Sequence, residues 1–271
     1  MQPSPAPSDF DQAYERVQRW RAGGPALFAV EALGLPPVWN PSSKEGVLDW
    51  QWKASDKLVA RKRLSIRAGK GVGKSAFLAW CILWLHTCYF PCKTVCTAPT
   101  ATQMGDVLWA ELALWLRRLK EHYPVLGSKF NWNSDQFEMI EAPQESFAVA
   151  RTARPDKPEA LQGLHTHGTR AAIGVIVDEA SGVDDSIFDA GRGAIASDNA
   201  FIILASNPTR LSGLFYRTHH ELSSLWETIQ VNGEECALQS PILREEVAFE
   251  WGRDSNRYRV DVQGDFPTAE D

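Results

Sequence analysis

Leu64-Ser65-Ile66-Arg67-Ala68-Gly69-Lys70-Gly71-Val72-Gly73-Lys74-Ser75-Ala76-Phe77-Leu78 decides the fold. A short strand over 64–67 leads into a glycine-rich turn, and an apolar helix follows over 74–89. The turn Ala68 to Ser75 matches the phosphate-loop pattern G-x-x-x-x-G-K-[ST], with Ala68 in place of the first glycine. Glycines let backbone N–H groups turn inward and approach an anion closely. The helix behind them points its positive end at the same place. The pattern therefore predicts that Ala68, Gly69, Lys70, Gly71, Val72, Gly73, Lys74 and Ser75 cradle the phosphates of ATP. Lys74 is expected on the β- and γ-phosphates and Ser75 on Mg²⁺.

Outward from this loop the chain alternates strand and helix. Strands are expected at 94–98, 147–150, 174–177, 201–205 and 226–231, and helices at 102–121 and 187–196. Upstream, helices are expected at 10–21, with Ala13, Val17 and Trp20 on one face, at 26–33, and at 44–60. Mixed or helical segments are expected at 240–249 and 254–262. Short, continuously apolar strands separated by helices indicate an α/β fold with a mainly parallel central sheet and helices on both faces. Such sheets bind ligands at the carboxyl ends of their strands. The key strands end in Ala68-Gly69-Lys70, Pro99-Thr100, Asp178-Glu179 and Ser206-Asn207-Pro208.

An apolar strand that ends in two acids is costly unless the acids are used. Asp178 is expected in the Mg²⁺ shell, and Glu179 is placed to polarise the attacking water. A bare acidic turn would be the alternative. Asn207 is expected to touch the γ-phosphate or the water; the alternative is an ordinary Asn-Pro turn. Thr97 to Gln103 either lies near nucleic acid or caps the helix through Thr100 or Thr102. Gln51, about twenty residues before the loop, has an amide that can pair with the N6 and N7 edge of adenine.

Composition sets bounds. The 271 residues are 44% hydrophobic, enough for a sizeable core, and the net charge of -6 excludes a protein basic over its whole surface. Contact with DNA would have to come from a local basic patch. Five cysteines without a C-x-x-C pattern fit a reducing compartment. Cys88, Cys92 and Cys96 with His86 make a poor zinc set, since Pro91 interrupts them. The N-terminus lacks the features of a signal peptide, and the longest apolar run, 76–90, is too short to span a membrane.

Trp50-Gln51, the loop at 68–75, Thr97-Ala98-Pro99-Thr100, Gly163, Val177-Asp178-Glu179-Ala180, Ser206-Asn207-Pro208 with Gly213-Leu214-Phe215-Tyr216, and Tyr258-Arg259-Val260 with Gly264-Asp265-Phe266-Pro267 occur in this order. Together they resemble the ATPase domain of the large terminase subunit of tailed bacteriophages, over roughly residues 45–267. The resemblance implies a P-loop NTPase of RecA/ASCE type. It places an N-terminal tail and helical lead-in at 1–44 and the start of a linker at 268–271. The family's nuclease domain would begin where this chain stops, so a piece of a longer protein that does not cleave DNA is expected. The resemblance also implies an ATP hydrolase that pumps double-stranded DNA into a procapsid in the cytoplasm of the infected bacterium. Its partners would be the portal protein, the small terminase subunit and further copies of itself in a ring.

Family members often carry an Arg four residues before the loop lysine. Lys70 stands there and is expected to assist the γ-phosphate in cis. An arginine acting in trans is also implied. Gln162 occupies its usual place before Gly163, which leaves Arg151, Arg154 and Arg170 as candidates. A helicase would need a second motor half, and nothing after Arg210 resembles one. A non-enzymatic nucleotide-dependent scaffold would not need Glu179, and no acceptor lid of a small-molecule kinase is found.

Overall fold

The runs with unbroken apolar character become the middle of one eight-stranded sheet. The computed structural model describes residues 9–153, 161, 165–196 and 198–269. Its strands are β1 (Arg63–Ala68), β2 (Cys92–Ala98), β3 (Phe130–Trp132), β4 (Gln136–Met139), β5 (Ser146–Thr152), β6 (Ala172–Asp178), β7 (Ala200–Ser206) and β8 (Glu227–Val231). Their spatial order is β3-β4-β5-β2-β6-β7-β1-β8. The run from β5 to β8 is parallel, while β3 and β4 form an antiparallel hairpin against β5.

Every residue of β6 and β7 is buried, because both faces of the sheet are covered. Alternate residues feed two different cores. Ile176, Phe201 and Ile203 face the larger one, packed with α1 (Asp9–Glu31), α2 (Asp49–Arg61), α3 (Lys74–Cys88) and α4 (Ala110–His122). Val175, Val177, Ile202 and Leu204 face a smaller one with Ile187, Phe188, Phe215 and Trp226. In the larger core Trp84 meets Phe201 and Tyr89 edge-on, and its indole N–H donates to the Trp20 carbonyl at 2.8 Å. The lead-in is therefore part of the main core: Trp20, Phe28 and Leu33 are buried in it.

Several expectations change at their boundaries. The two helices expected at 10–21 and 26–33 follow each other within α1 and are separated by a kink at Gly24, whose non-helical φ of 71° only glycine adopts freely. Of its expected face only Trp20 is buried; Ala13 is exposed. Helix α2 starts after Gly46 and the extended Leu48, not at Lys44. The helix expected over 102–121 opens as a π-helical turn, Gln103–Trp109, before α4. The β3–β4 hairpin was not foreseen. Its strands are three and four residues long, too short for a visible period, and the Asn133 side chain closes its turn by accepting from the Asp135 and Gln136 amides.

Cys88, Cys92 and Cys96 are buried free thiols, and burial pushes the Cys92 thiol up to about 12. His86 bridges Ser146 and Thr94 at 3.0 Å each, and burial pulls its pKa down to about 3. It is a core hydrogen-bonding group, and no metal-ligating cluster occurs among the described residues. No helix among them is long and apolar enough to cross a membrane.

Trp84→Ala removes the centrepiece of the larger core. Urea unfolding of this variant is expected to show a loss of about 3–5 kcal/mol.

Candidate nucleotide site

The strand order places β7 between β1 and β6. Ile66 and Asp178 both pair with Ala205, so the carboxyl ends of the three strands lie level. Three loops consequently meet: the phosphate loop after β1, the acid pair after β6 and the Asn207 loop after β7.

The phosphate loop takes the shape its glycines permit. Gly71 and Gly73 have φ of 67° and 88°, and the space where a Cβ would project from Gly71 is open. Gly73 caps α3, aiming that helix's first turn at the loop. Lys74 is only 9% exposed. Its Nζ donates to the Gly69 carbonyl at 3.1 Å and to Asn207 Oδ1 at 3.3 Å. Burial lowers its pKa, while Glu179 and Asp178 oppose that shift. A buried cation resting on two neutral oxygens is a place prepared for an anion. Asn207 completes a bridge, its Nδ2 donating to the Ala68 carbonyl at 2.7 Å.

On the other side of Asn207, the backbone turns sharply at Glu179, in the left-handed region at φ 49°, ψ 43°. The Ser206 hydroxyl shares its proton between the Asn207 carbonyl at 2.8 Å and Glu179 Oε2 at 3.2 Å. Asp178 is 3% exposed and accepts from the Glu179 amide at 3.0 Å. Burial first, then the Glu179 charge, raise its pKa to about 6, against the pull of Lys74. The hydroxyl of Ser75 and the carboxylate of Asp178 are hard oxygen donors of the type Mg²⁺ prefers.

Lys70 is held differently from the expectation of a free γ-phosphate ligand. Its Nζ pairs with the buried Asp261 at 2.9 Å, and Arg257 pairs with the same carboxylate at 2.6 Å. The π-helical turn Arg259–Gln263 supports the loop's backbone as well: Lys70 N–H donates to the Asp261 carbonyl at 2.8 Å, and the Gln239 amide donates to the Lys70 carbonyl at 2.9 Å. A Cβ on Gly69 would lie 2.3 Å from the Val262 carbonyl oxygen, so this residue must be glycine.

Gln51, the residue expected at adenine, makes its contacts within the protein. Its Oε1 accepts from the Leu48 amide at 2.9 Å, and its Nε2 faces the Gly73 carbonyl at 3.4 Å. One donor and one acceptor site of the amide are thus used by the protein. Its neighbour Trp50 donates to the Val72 carbonyl at 3.1 Å, so this helix braces the phosphate loop. Thr100 behaves as a helix cap, accepting from the Gln103 amide at 3.2 Å.

Arg151 is the last residue but one of β5, on the carboxyl side of the sheet, where its carbonyl accepts from the Thr97 hydroxyl at 2.5 Å. Arg170 lies two residues before β6, at the opposite edge, and its carbonyl accepts from Phe90 N–H. Arg154, Gln162 and Gly163 lie outside the described residues. A cleft of about 720 Å³ opens beside the site, lined by Lys70, Glu179, Asn207, Arg210, Arg257 and Asp261 among others. Arg210, Arg257, Asp261 and Ser206 were missed as site residues. Ser206 lies inside a motif already noticed and Arg210 just after it, so both were within reach of the sequence, whereas Asp261 joins only through tertiary folding.

Fold and site together define a phosphate-loop NTPase with the RecA-like arrangement. No family model matches the chain. It is 31% identical, over 93% of its length, to a probable large terminase subunit of Enterobacteria phage P7, and it spans about half of that relative, 49%. Its fold superposes on the large terminase ATPase domain of Thermus phage P74-26 with a TM-score of 0.65 at 15% identity, covering 90% of this chain and 99% of that one. It also superposes on the large terminase of a thermophilic bacteriophage in complex with ADP, with a TM-score of 0.59 at 11% identity over 79% of this chain and 50% of that one. The chain is thus related to bacteriophage large terminase subunits and has the fold of their ATPase domain, as the order of its motifs implies.

The raised pKa of Asp178 has a definite sign. The folded state holds the proton up to about pH 6, whereas the unfolded chain releases it near the ordinary 3.8. Stability of the nucleotide-free protein therefore falls as pH rises between those values. Asp178→Asn is expected to flatten that slope and raise the melting temperature near pH 7.5 by several degrees, as read by calorimetry with chelator present.

Proposed function

We propose that this chain is the ATPase motor part of a DNA-packaging large terminase, hydrolysing Mg²⁺-ATP to drive double-stranded DNA into a procapsid in the infected cell. The observation that carries the reading is the meeting of Lys74, Asn207 and the Asp178-Glu179 pair at the level ends of three adjacent strands. The relationship to a terminase large subunit supports the packaging role. On this reading the portal protein and the small terminase subunit are partners, and copies of the chain work as a ring. DNA cleavage is not assigned to these residues.

Lys74 would exchange the Gly69 and Asn207 oxygens for the β- and γ-phosphates. Ser75 and Asp178 would hold Mg²⁺, which when bound spreads the phosphate charge. Glu179, held by Ser206, accepts a proton from the water that attacks the γ-phosphorus as the bond to the β-phosphate oxygen breaks. Asn207 loses its contact with Lys74 in this exchange, and so its loop registers the presence of the phosphate. Lys70 reaches a phosphate only by loosening its pair with Asp261. Among the trans-arginine candidates, Arg151 has the support of its place at the carboxyl edge of the sheet.

Glu179→Ala is expected to bind ATP normally and to hydrolyse it about a hundredfold slower or worse. Lys74→Ala should lose binding itself. Calorimetric titration beside a phosphate-release assay separates the two, and surviving hydrolysis in Glu179→Ala would remove Glu179 from the mechanism. The ring reading has its own check. The rate per subunit should climb with protein concentration, and a flat dependence that also persists with DNA and portal added counts against an arginine supplied by a neighbour.

A further inference from the structure

Two residues past Glu179 stands a hydroxyl that the mechanism above does not use. Ser181 is 4% exposed and lies in the 3-10 turn Ala180–Gly182 that Glu179 caps. Its Oγ accepts from two successive backbone amides, Thr209 N–H and Arg210 N–H, both at 3.1 Å, and the Thr209 hydroxyl lies 3.1 Å away as well. The donors belong to the loop after β7, just past Asn207 and Pro208. One oxygen therefore ties the acid turn to the Asn207 loop.

The tie has a physical task. Glu179 sits in left-handed backbone geometry, which is sterically costly for an L-residue and has to be offset by its surroundings. Within the turn, Gly182 N–H donates to the Glu179 carbonyl at 2.9 Å. That bond closes the turn without orienting it against the rest of the site. Orientation comes from the two links to the neighbouring loop: Ser206 on the Glu179 carboxylate and Ser181 on the Thr209 and Arg210 amides. The same loop reaches the phosphate lysine through Asn207.

We infer that Ser181 is a positioning residue for Glu179, holding the acid turn in register with the Asn207 loop so that the carboxylate follows the occupancy of the phosphate site. This role rests on the proposed hydrolytic reading of Glu179 and adds a residue to it. Ser181 does not touch the nucleotide. Its loss should disturb the rate of the chemical step and leave nucleotide affinity alone.

The test is a graded series in the full chain, with Mg²⁺-ATP as substrate and each variant first checked by thermal unfolding. Ser181→Thr keeps the acceptor oxygen, Ser181→Cys replaces it with a weaker one, and Ser181→Ala removes it. The expected order of kcat is Ser and Thr highest, then Cys, then Ala, with Ala down by about tenfold or more. KM and the affinity for a non-hydrolysed ATP analogue should stay within about twofold of the parent. In a Glu179→Gln background, adding Ser181→Ala should slow the residual rate no further. The inference is overturned if Ser181→Ala keeps the parent kcat, if kcat and affinity fall together, or if the penalty is undiminished in Glu179→Gln. Should Ser181→Ala fail to fold, the Thr and Cys variants decide: equal kcat in both overturns the role. Full activity of Glu179→Gln alone would instead sink the parent reading, a result distinct from normal turnover in Ser181→Ala beside an inactive Glu179→Gln.

Discussion

The site depends on one buried ammonium group. Lys74 has left water at the start of α3, and its immediate partners are a carbonyl and an amide oxygen, neither of them charged. Desolvation is costly for such a group, and its pKa is lowered accordingly. The compensation comes from three directions. Asn207 leans in from β7, the acid pair lends its field from β6, and the glycine loop leaves room for phosphate. Had β1 and β6 been direct neighbours, there would be no strand between them to carry Asn207, and the cation and the acids could approach each other directly. The interposed β7 keeps them apart while linking each to a common loop.

Much of this was legible in the sequence, for reasons that differ between residues. The phosphate loop was readable because local geometry dictates it: glycines at positive φ, a helix start and a lysine at fixed spacing need no tertiary information. β6 and β7 were readable because strands covered on both faces leave an unbroken apolar trace, and Asp178 ended that trace abruptly. Their level ends followed from parallel pairing. The hairpin Phe130–Met139 left no trace, since three or four residues cannot display a period of two against noise. The break within α1 was legible because Gly23-Gly24-Pro25 marks it, and Gly24 takes a non-helical conformation there.

Gln51 shows a different limit. Its type and its distance from the loop both suited a base-reading amide, yet the same two groups are equally good at holding Leu48 and Gly73. Chemistry alone does not tell a ligand contact from a brace; the choice lies in which partner the fold brings within reach. The same holds in reverse for Asp261. It reads as one acid among many in a polar segment, and it matters because the fold buries it against Lys70 and Arg257.

The seam between the phosphate loop and the turn at 259–264 has a consequence for how the protein comes to be made. Gly69 lies against the Val262 carbonyl, Gly264 against the backbone of Ala68, and the Lys70 amide is bonded to a residue 191 positions further on. The local sequence can sketch the loop, but its final shape waits for a segment that leaves the ribosome long after the loop itself. Contacts of such long sequence separation close late. A nascent chain could therefore assemble most of its sheet while its nucleotide cradle is still unfinished, and competence for ATP would arrive only with that turn.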